Sequence, residues 1–299
     1  MGETVAVIGA GAIGGVLAQA ACAAGQDVTV CVRTLIPSLT VARDGVKREI
    51  PARITADPGA VAGPVDWVLL TTKGYQTAGA EPWLRRLAGP ETAVVVAQNG
   101  VEHAQRLASA APRPAGPVVP ALAYIAARRS APGFVEHEYG DRVIVPRDEA
   151  GTRFAALLAG GPLRVDLAGD FLTAAWRKLL FNAGANPVTA LTGQTIGVLG
   201  RPGIPSLMRG LLTEVVAAGN AAGARLSDAD VTATMDFFAN SDPGIGTSML
   251  DDRLAGRRTE HEEITGAVVR TADSLGVEVP LNRAVLALLA ATSPAWPSA

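Results

Sequence analysis

Gly9, Gly11 and Gly14 stand at the spacing G-x-G-x-x-G, directly after the apolar run Val5-Ala6-Val7-Ile8. A helix-prone, alanine-rich segment follows, from Val16 to Ala24. Strand, glycine turn and helix start together make a cradle for a pyrophosphate. Gly9 permits the turn, Gly11 lets backbone approach the phosphates, and Gly14 lets helix pack closely on strand. The helix N-terminus adds N–H groups and partial positive charge. Gly9, Ala10, Gly11, Ala12, Ile13 and Gly14 are therefore candidate dinucleotide contacts, and their place after the first strand is the context this pattern needs. A second strand, Val28 to Val32, runs into Arg33. An NAD site ordinarily closes this strand with an acid for the ribose 2′-hydroxyl. Here the acid, Asp27, lies at the strand's start, while Arg33 offers a fork of donors suited to a 2′-phosphate. This favours NADP(H); the plainer alternative is a solvated surface arginine.

A second set of polar residues lies in the C-terminal half. Lys178, Asn182 and Asn186 are spaced i, i+4, i+8, which places one ammonium and two amides along one helix face. Leu172, Ala175 and Leu179 form a neighbouring apolar stripe, as expected of a face beside a cleft; an ordinary amphipathic surface helix has the same pattern. Pro187 is expected to kink or end the helix and turn Asn186 inward. Further on, Thr259 and Glu262 match a capping box, with Glu260 as the first residue inside the helix. An acid there suits the helix dipole or projects into a cleft.

The elements that must position these residues change character near residue 168. Before it, strands alternate with helices: Asp66 to Thr72, a helix over Glu81 to Leu87 with Pro82 in its first turn, Thr92 to Ala97, and Val118 to Ile125. A hairpin is expected around Tyr139-Gly140-Asp141 and a last strand over Leu163 to Leu167. Residues 35–64 are a variable region. Beyond 168 only helices are expected, over 170–185, 206–223, 227–240, 259–275 and 282–291, with a frayed tail at 294–299. The fold class is α/β: an N-terminal Rossmann dinucleotide-binding domain (1–167) followed by an all-helical C-terminal domain (168–299). Clefts between domains are common ligand sites.

Composition narrows the partners. Twenty-six basic residues against 28 acidic ones give a net charge of -2, without a basic block, so nucleic acid and anionic membrane are not expected. No apolar run is long enough for a span, and the N-terminal apolar stretch lacks the basic start of a signal peptide. Cys22 and Cys31 read as small buried hydrophobes of a reduced, cytoplasmic protein. His103, His137 and His261 lack metal-ligand spacing, and Asp251-Asp252 alone is a poor cation site.

Taken in order, Gly9/Gly11/Gly14, Thr72-Lys73, Gln98-Asn99-Gly100, Trp176-x-Lys178 with Asn182 and Asn186-Pro187, and Ser248-Met249 followed by Asp252 and Thr259-Glu260 form a specific combination. It resembles the ketopantoate reductase (2-dehydropantoate 2-reductase) family over nearly the whole chain. The resemblance implies an active site between a Rossmann and a helical domain. It implies that Arg33 and Lys73 bind the NADPH 2′-phosphate and that Asn99 lies near nicotinamide and substrate. By the same resemblance Lys178 is the general acid, Asn182, Asn186 and Ser248 bind a small 2-oxo acid, and Glu260 contacts substrate and helps order the site, with cofactor contact shared by Asn99 and Glu260. One departure stands out: many relatives carry a substrate-binding asparagine three residues before Ser248, where this chain has Ile245, which implies a less polar pocket wall. Val145-Pro146 also replaces an Ile-Gly ending common in relatives. The implied reaction is reduction of a branched 2-oxo acid, by default ketopantoate to pantoate in pantothenate biosynthesis. A same-family reductase of another ketone, 2-oxo acid or imine, and a non-catalytic dinucleotide sensor, are the alternatives. Relatives include monomers and dimers, so a homodimer stays open.

Overall fold

The computed structural model describes residues 2–110 and 116–292; the tail expected to fray lies outside them. The chain divides into two compact units, Met1–Gln98 with His103–Phe171, and Asn99–Glu102 with Leu172–Ala299.

The first unit contains β1 (Thr4–Ile8), α1 (Ala12–Ala23), β2 (Asp27–Cys31), β3 (Thr40–Arg43), β4 (Val46–Glu49), β5 (Arg53–Thr55), β6 (Trp67–Leu70), α2 (Glu81–Leu87), β7 (Ala93–Val96), α3 (His103–Ala110), β8 (Val118–Pro120), β9 (Leu122–Ala131), β10 (Phe134–Pro146), α4 (Glu149–Leu157) and β11 (Arg164–Ala168). Six strands form a parallel sheet in the order β5-β2-β1-β6-β7-β8. Successive side chains point to opposite faces. Val5, Val7, Trp67, Leu69 and Val95 therefore join one buried cluster, and Ala6, Ile8, Val68, Leu70, Val94 and Val96 another. Burial on both faces explains why these strands read as continuous apolar runs. The neighbours of β1 are β2 on one side and β6 on the other, so the chain reverses its direction of travel across the sheet at β1, where doubly wound folds bind ligands.

A second sheet, in the order β11-β10-β3-β4 with β9 paired to β10, departs from the sequence reading in three ways. Residues 35–64 hold β3 and β4 of this sheet, and β5 of the first. The β3–β4 hairpin turns at Asp44-Gly45, both with positive φ (51° and 77°), the conformation Asp-Gly favours in tight hairpins. The expected strand over 118–125 is split between the two sheets at Ala121. Tyr139-Gly140-Asp141 is not a hairpin turn but an irregularity inside the single strand β10. Gly140 has φ +78° and a Cβ there would stand 2.4 Å from the Tyr124 carbonyl; the chain bulges past β9 instead of reversing. The reversal comes earlier, at Pro132-Gly133 (Gly133 φ +75°).

The second unit is built from α5 (Phe171–Thr192, its first residue in the first unit), α6 (Ile204–Ala221), α7 (Asp228–Ala239), α8 (Ser248–Leu254), α9 (Ala267–Leu275) and α10 (Pro280–Thr292). Small residues let α5 and α6 approach. A Cβ on Gly184 would meet Met208 at 2.9 Å, and one on Gly219 would meet Trp176 at 2.9 Å. Ala175 and Leu179 enter the core as expected, but Leu172 is exposed. Pro187 neither ends nor interrupts the assigned helix, which runs to Thr192. All eight residues 183–190 are buried, and this packing outweighs the roughly 3 kcal/mol that an internal proline costs.

No helix among the described residues is long and apolar enough to cross a membrane.

Candidate active site

In the first unit the chain leaves β1 through Gly9, whose φ of +108° is open to glycine at little cost. The turn is held from below: the Gly9 N–H donates to Cys31 O (2.9 Å), and Thr71 Oγ1 donates to Ile8 O (3.0 Å) and Gly9 O (2.8 Å). A Cβ on Gly14 would fall 1.9 Å from Gly9 O and 2.5 Å from Thr71 Oγ1, so only glycine lets α1 start this close to the turn. Gly11 behaves oppositely. It is the N-cap of α1, no side chain caps that end, and a Cβ there would meet nothing within 4 Å. Open space before unpaired N–H groups at a helix start fits a phosphate anion. Arg33 and Lys73 follow the carboxyl ends of β2 and β6, the strands flanking β1; Arg33 is exposed and Lys73 half-buried. Gln98 fastens the loop after β6, donating from Nε2 to Thr72 O (3.0 Å) and Thr77 Oγ1 (2.9 Å).

In the second unit, residues distant in sequence meet. Asn99 Nδ2 donates to Glu260 Oε2 at 3.0 Å, and Asn182 Nδ2 donates to Asn99 Oδ1 at 3.4 Å. Lys178, half-buried, lies one helical turn before Asn182 on α5, and Asn186, only 6% exposed, one turn after it. Glu260 is 4% exposed; a carboxylate so buried needs donors of this kind. Gly100, at φ +97°, turns the chain immediately after Asn99.

The capping box at Thr259 does not form. Thr259 Oγ1 pairs with His261 Nδ1 at 2.8 Å, Glu260 precedes the helix, and the first turn, Glu262–Gly266, is a π-helix leading into α9. Ile264 N–H donates to Glu260 O (3.1 Å). Thus Glu260 sits where the helix begins, with its side chain directed to Asn99. Turns of π-helix are rare and concentrate at functional sites.

Family models match almost the whole chain: ketopantoate reductase PanE/ApbA over residues 5–149, and its C-terminal counterpart over residues 170–293. The chain belongs to the ketopantoate reductase family. It is 40% identical to the 2-dehydropantoate 2-reductase of Caulobacter vibrioides, over 97% of this chain and 99% of that one, and 36% identical to that of Mycobacterium tuberculosis, over 98% and 99%. A PanE/ApbA family ketopantoate reductase structure from Ralstonia eutropha matches with TM-score 0.87 at 28% identity, covering 97% of this chain and 98% of that chain. A dimeric ketopantoate reductase from Staphylococcus aureus matches with the same TM-score at 25% identity and the same coverage. The chain is therefore an oxidoreductase of a dinucleotide-dependent family, with a Rossmann-like N-terminal part and a helical C-terminal part.

Two supporting residues, Thr247 and Thr189, were not singled out from the sequence. Ser248 is exposed and opens α8; its neighbour Thr247 caps the helix, accepting from Leu250 N–H at 3.2 Å. Thr189 on α5 holds Thr247 through a 2.7 Å hydroxyl pair. The segment just past Pro187 therefore anchors the start of α8. Asp252, 3% exposed, accepts from Arg257 Nε at 2.9 Å and stabilises the turn leading to Glu260. Among the described residues no cluster of His, Cys, Asp and Glu could hold a metal ion. The Ile245 side chain packs against the helical core, and its carbonyl accepts from Ile196 N–H at 2.9 Å. Its branched alkyl group thus has a packing partner in the second unit.

Proposed function

We propose that this chain is an NADPH-dependent reductase of a small branched 2-oxo acid, with ketopantoate as substrate and pantoate as product. The observation that carries the reading is the Asn182–Asn99–Glu260 hydrogen-bonded row, with Lys178 one turn away on α5. The glycine turn and the start of α1 hold the pyrophosphate, and Arg33 and Lys73 hold the 2′-phosphate. Arginine provides the planar fork and lysine a point charge. The nicotinamide, when bound, supplies the hydride.

This chain's side chains then perform the remaining work. Asn182, Asn186 and Ser248 bind the 2-oxo acid through amide and hydroxyl groups, which recognise carboxylate and carbonyl without adding charge. As C2 of the ketone gains the hydride, its oxygen gains negative charge. The Lys178 ammonium stabilises that charge and delivers a proton to the oxygen, giving the alcohol and a neutral amine. Glu260 fixes the amide of Asn99, so that Asn99 presents a defined face to substrate and cofactor. Electrons and protons balance: one hydride to carbon, one proton from Lys178 to oxygen, and one proton returned to Lys178 from solvent.

The test is NADPH oxidation measured against ketopantoate and a panel of linear, branched and aromatic 2-oxo acids. Highest kcat/KM with ketopantoate supports the reading. Strong turnover of another carbonyl with negligible ketopantoate turnover replaces the substrate. NADPH binding without turnover of any carbonyl rejects the reductase reading.

A further inference from the structure

Residues Asn99–Glu102 leave the first unit for only four positions before the chain returns to it at His103. Val101 packs on the helical core. Glu102 presents both carboxylate oxygens to Arg270, with Nε to Oε1 at 3.0 Å and Nη2 to Oε2 at 2.7 Å. The same guanidinium donates from Nη1 to Glu262 Oε2 (2.8 Å) and from Nη2 to Glu262 O (2.7 Å). Glu262 opens the π turn two residues after Glu260. One planar group therefore joins the segment carrying Asn99 to the turn following Glu260. Room for it is built in: a Cβ on Gly266 would stand 2.6 Å from Glu262 Oε2 and 2.9 Å from Arg270 Nη1.

The side chains of this fork are partly exposed, at 46% for Arg270, 26% for Glu102 and 40% for Glu262. Exposed pairs add little stability, whereas a bidentate fork fixes distance and angle. Stability is thus a weak account of the arrangement, and geometry a strong one. We propose that Glu102 and Arg270 are positioning residues whose fork sets the Asn99–Glu260 hydrogen bond, and with it the amide that Asn99 offers to substrate. The proposal rests on the reading of Asn99 and Glu260 as site residues given above.

The experiment compares full-length Glu102→Gln, Arg270→Lys, Asn99→Ala and the double variant Glu102→Gln/Asn99→Ala, using NADPH and ketopantoate. Misplacing a reacting group by about 1 Å costs up to about 100-fold, so Glu102→Gln and Arg270→Lys each lower kcat by about 10- to 100-fold. Their melting temperature stays near wild type, while amide hydrogen exchange in 99–102 quickens. In the Asn99→Ala background, Glu102→Gln adds no further loss, because its effect passes through Asn99. The same loss in both backgrounds, unchanged exchange in 99–102, or wild-type kcat in both single fork variants overturns the positioning role and leaves the site reading standing. Wild-type turnover in Asn99→Ala overturns the site reading itself, and the positioning role with it.

Discussion

The two glycines of the cradle make opposite demands, and exchanging each for alanine separates them. At Gly14 the added Cβ would lie 1.9 Å from Gly9 O, a backbone atom held by Thr71 and unable to swing aside. Ordinary contact begins near 3.4 Å, so the start of α1 must retreat by about 1.5 Å. Overpacking against rigid backbone belongs at the upper end of the usual range, about 3 kcal/mol, or about 6–12 °C in melting temperature for a unit of this size. At Gly11 the added Cβ meets nothing, and φ is -80°, which alanine adopts freely. Alanine is a poorer N-cap than glycine but orders the unfolded chain; the two effects offset each other to within about 1 kcal/mol. With a pyrophosphate against Gly11, however, the methyl group displaces at least one charged hydrogen bond. Such a bond contributes about 1.5–3 kcal/mol, so NADPH affinity falls by about 10- to 100-fold. Thermal unfolding without ligand, together with fluorescence titration of NADPH, reads both effects. Gly14→Ala is expected to melt early, and Gly11→Ala to melt normally but bind poorly. Wild-type NADPH affinity in Gly11→Ala, or wild-type melting in Gly14→Ala, refutes the packing argument for the cradle.

Two further predictions concern charge. Arg33→Ala should weaken NADPH by about 1.5–3 kcal/mol, the usual contribution of a hydrogen bond to a charged group, and leave NADH nearly unaffected; equal losses for both would remove Arg33 from phosphate recognition. His261, 5% exposed, has its pKa pushed below the usual histidine value by burial, a shift opposed by Glu262 and reinforced by Arg258. The unfolded chain then binds the proton more readily, so this contribution to stability is complete above about pH 6.5 and is lost as pH falls through the folded-state pKa. His261→Gln should flatten the decline in melting temperature below pH 6.5, and an unchanged pH profile would contradict that role.

Much of the fold was legible because burial imposes period. β1, β6 and β7 are covered on both faces and read as apolar runs, and the long helices after Phe171 carry continuous apolar positions. β4 was illegible for the converse reason: all four of its residues are exposed, so no apolar face marks it, although Asp44-Gly45 carried the hairpin signal. Tyr139-Gly140-Asp141 misled because a glycine bulge and a turn draw on the same residue types. Pro187 misled because local backbone chemistry predicts a break that buried neighbours override. The polar row on α5 was legible in its spacing. Asn99 and Glu260 were each named from the sequence, but their hydrogen bond was not legible, since 161 positions separate the two residues. The Glu102–Arg270 fork, spanning 168 positions, left no local trace at all.

The central claim is that the Lys178 ammonium meets the oxygen on which charge develops. It is tested most directly by single-turnover reduction of ketopantoate, with enzyme and NADPH in excess, in wild type and Lys178→Met. Loss of one such stabilising group costs about 100- to 1000-fold, or about 2.7–4 kcal/mol. We expect the chemical step to slow by at least that much, with NADPH affinity unchanged. A Lys178→Met rate within a few-fold of wild type would contradict the account.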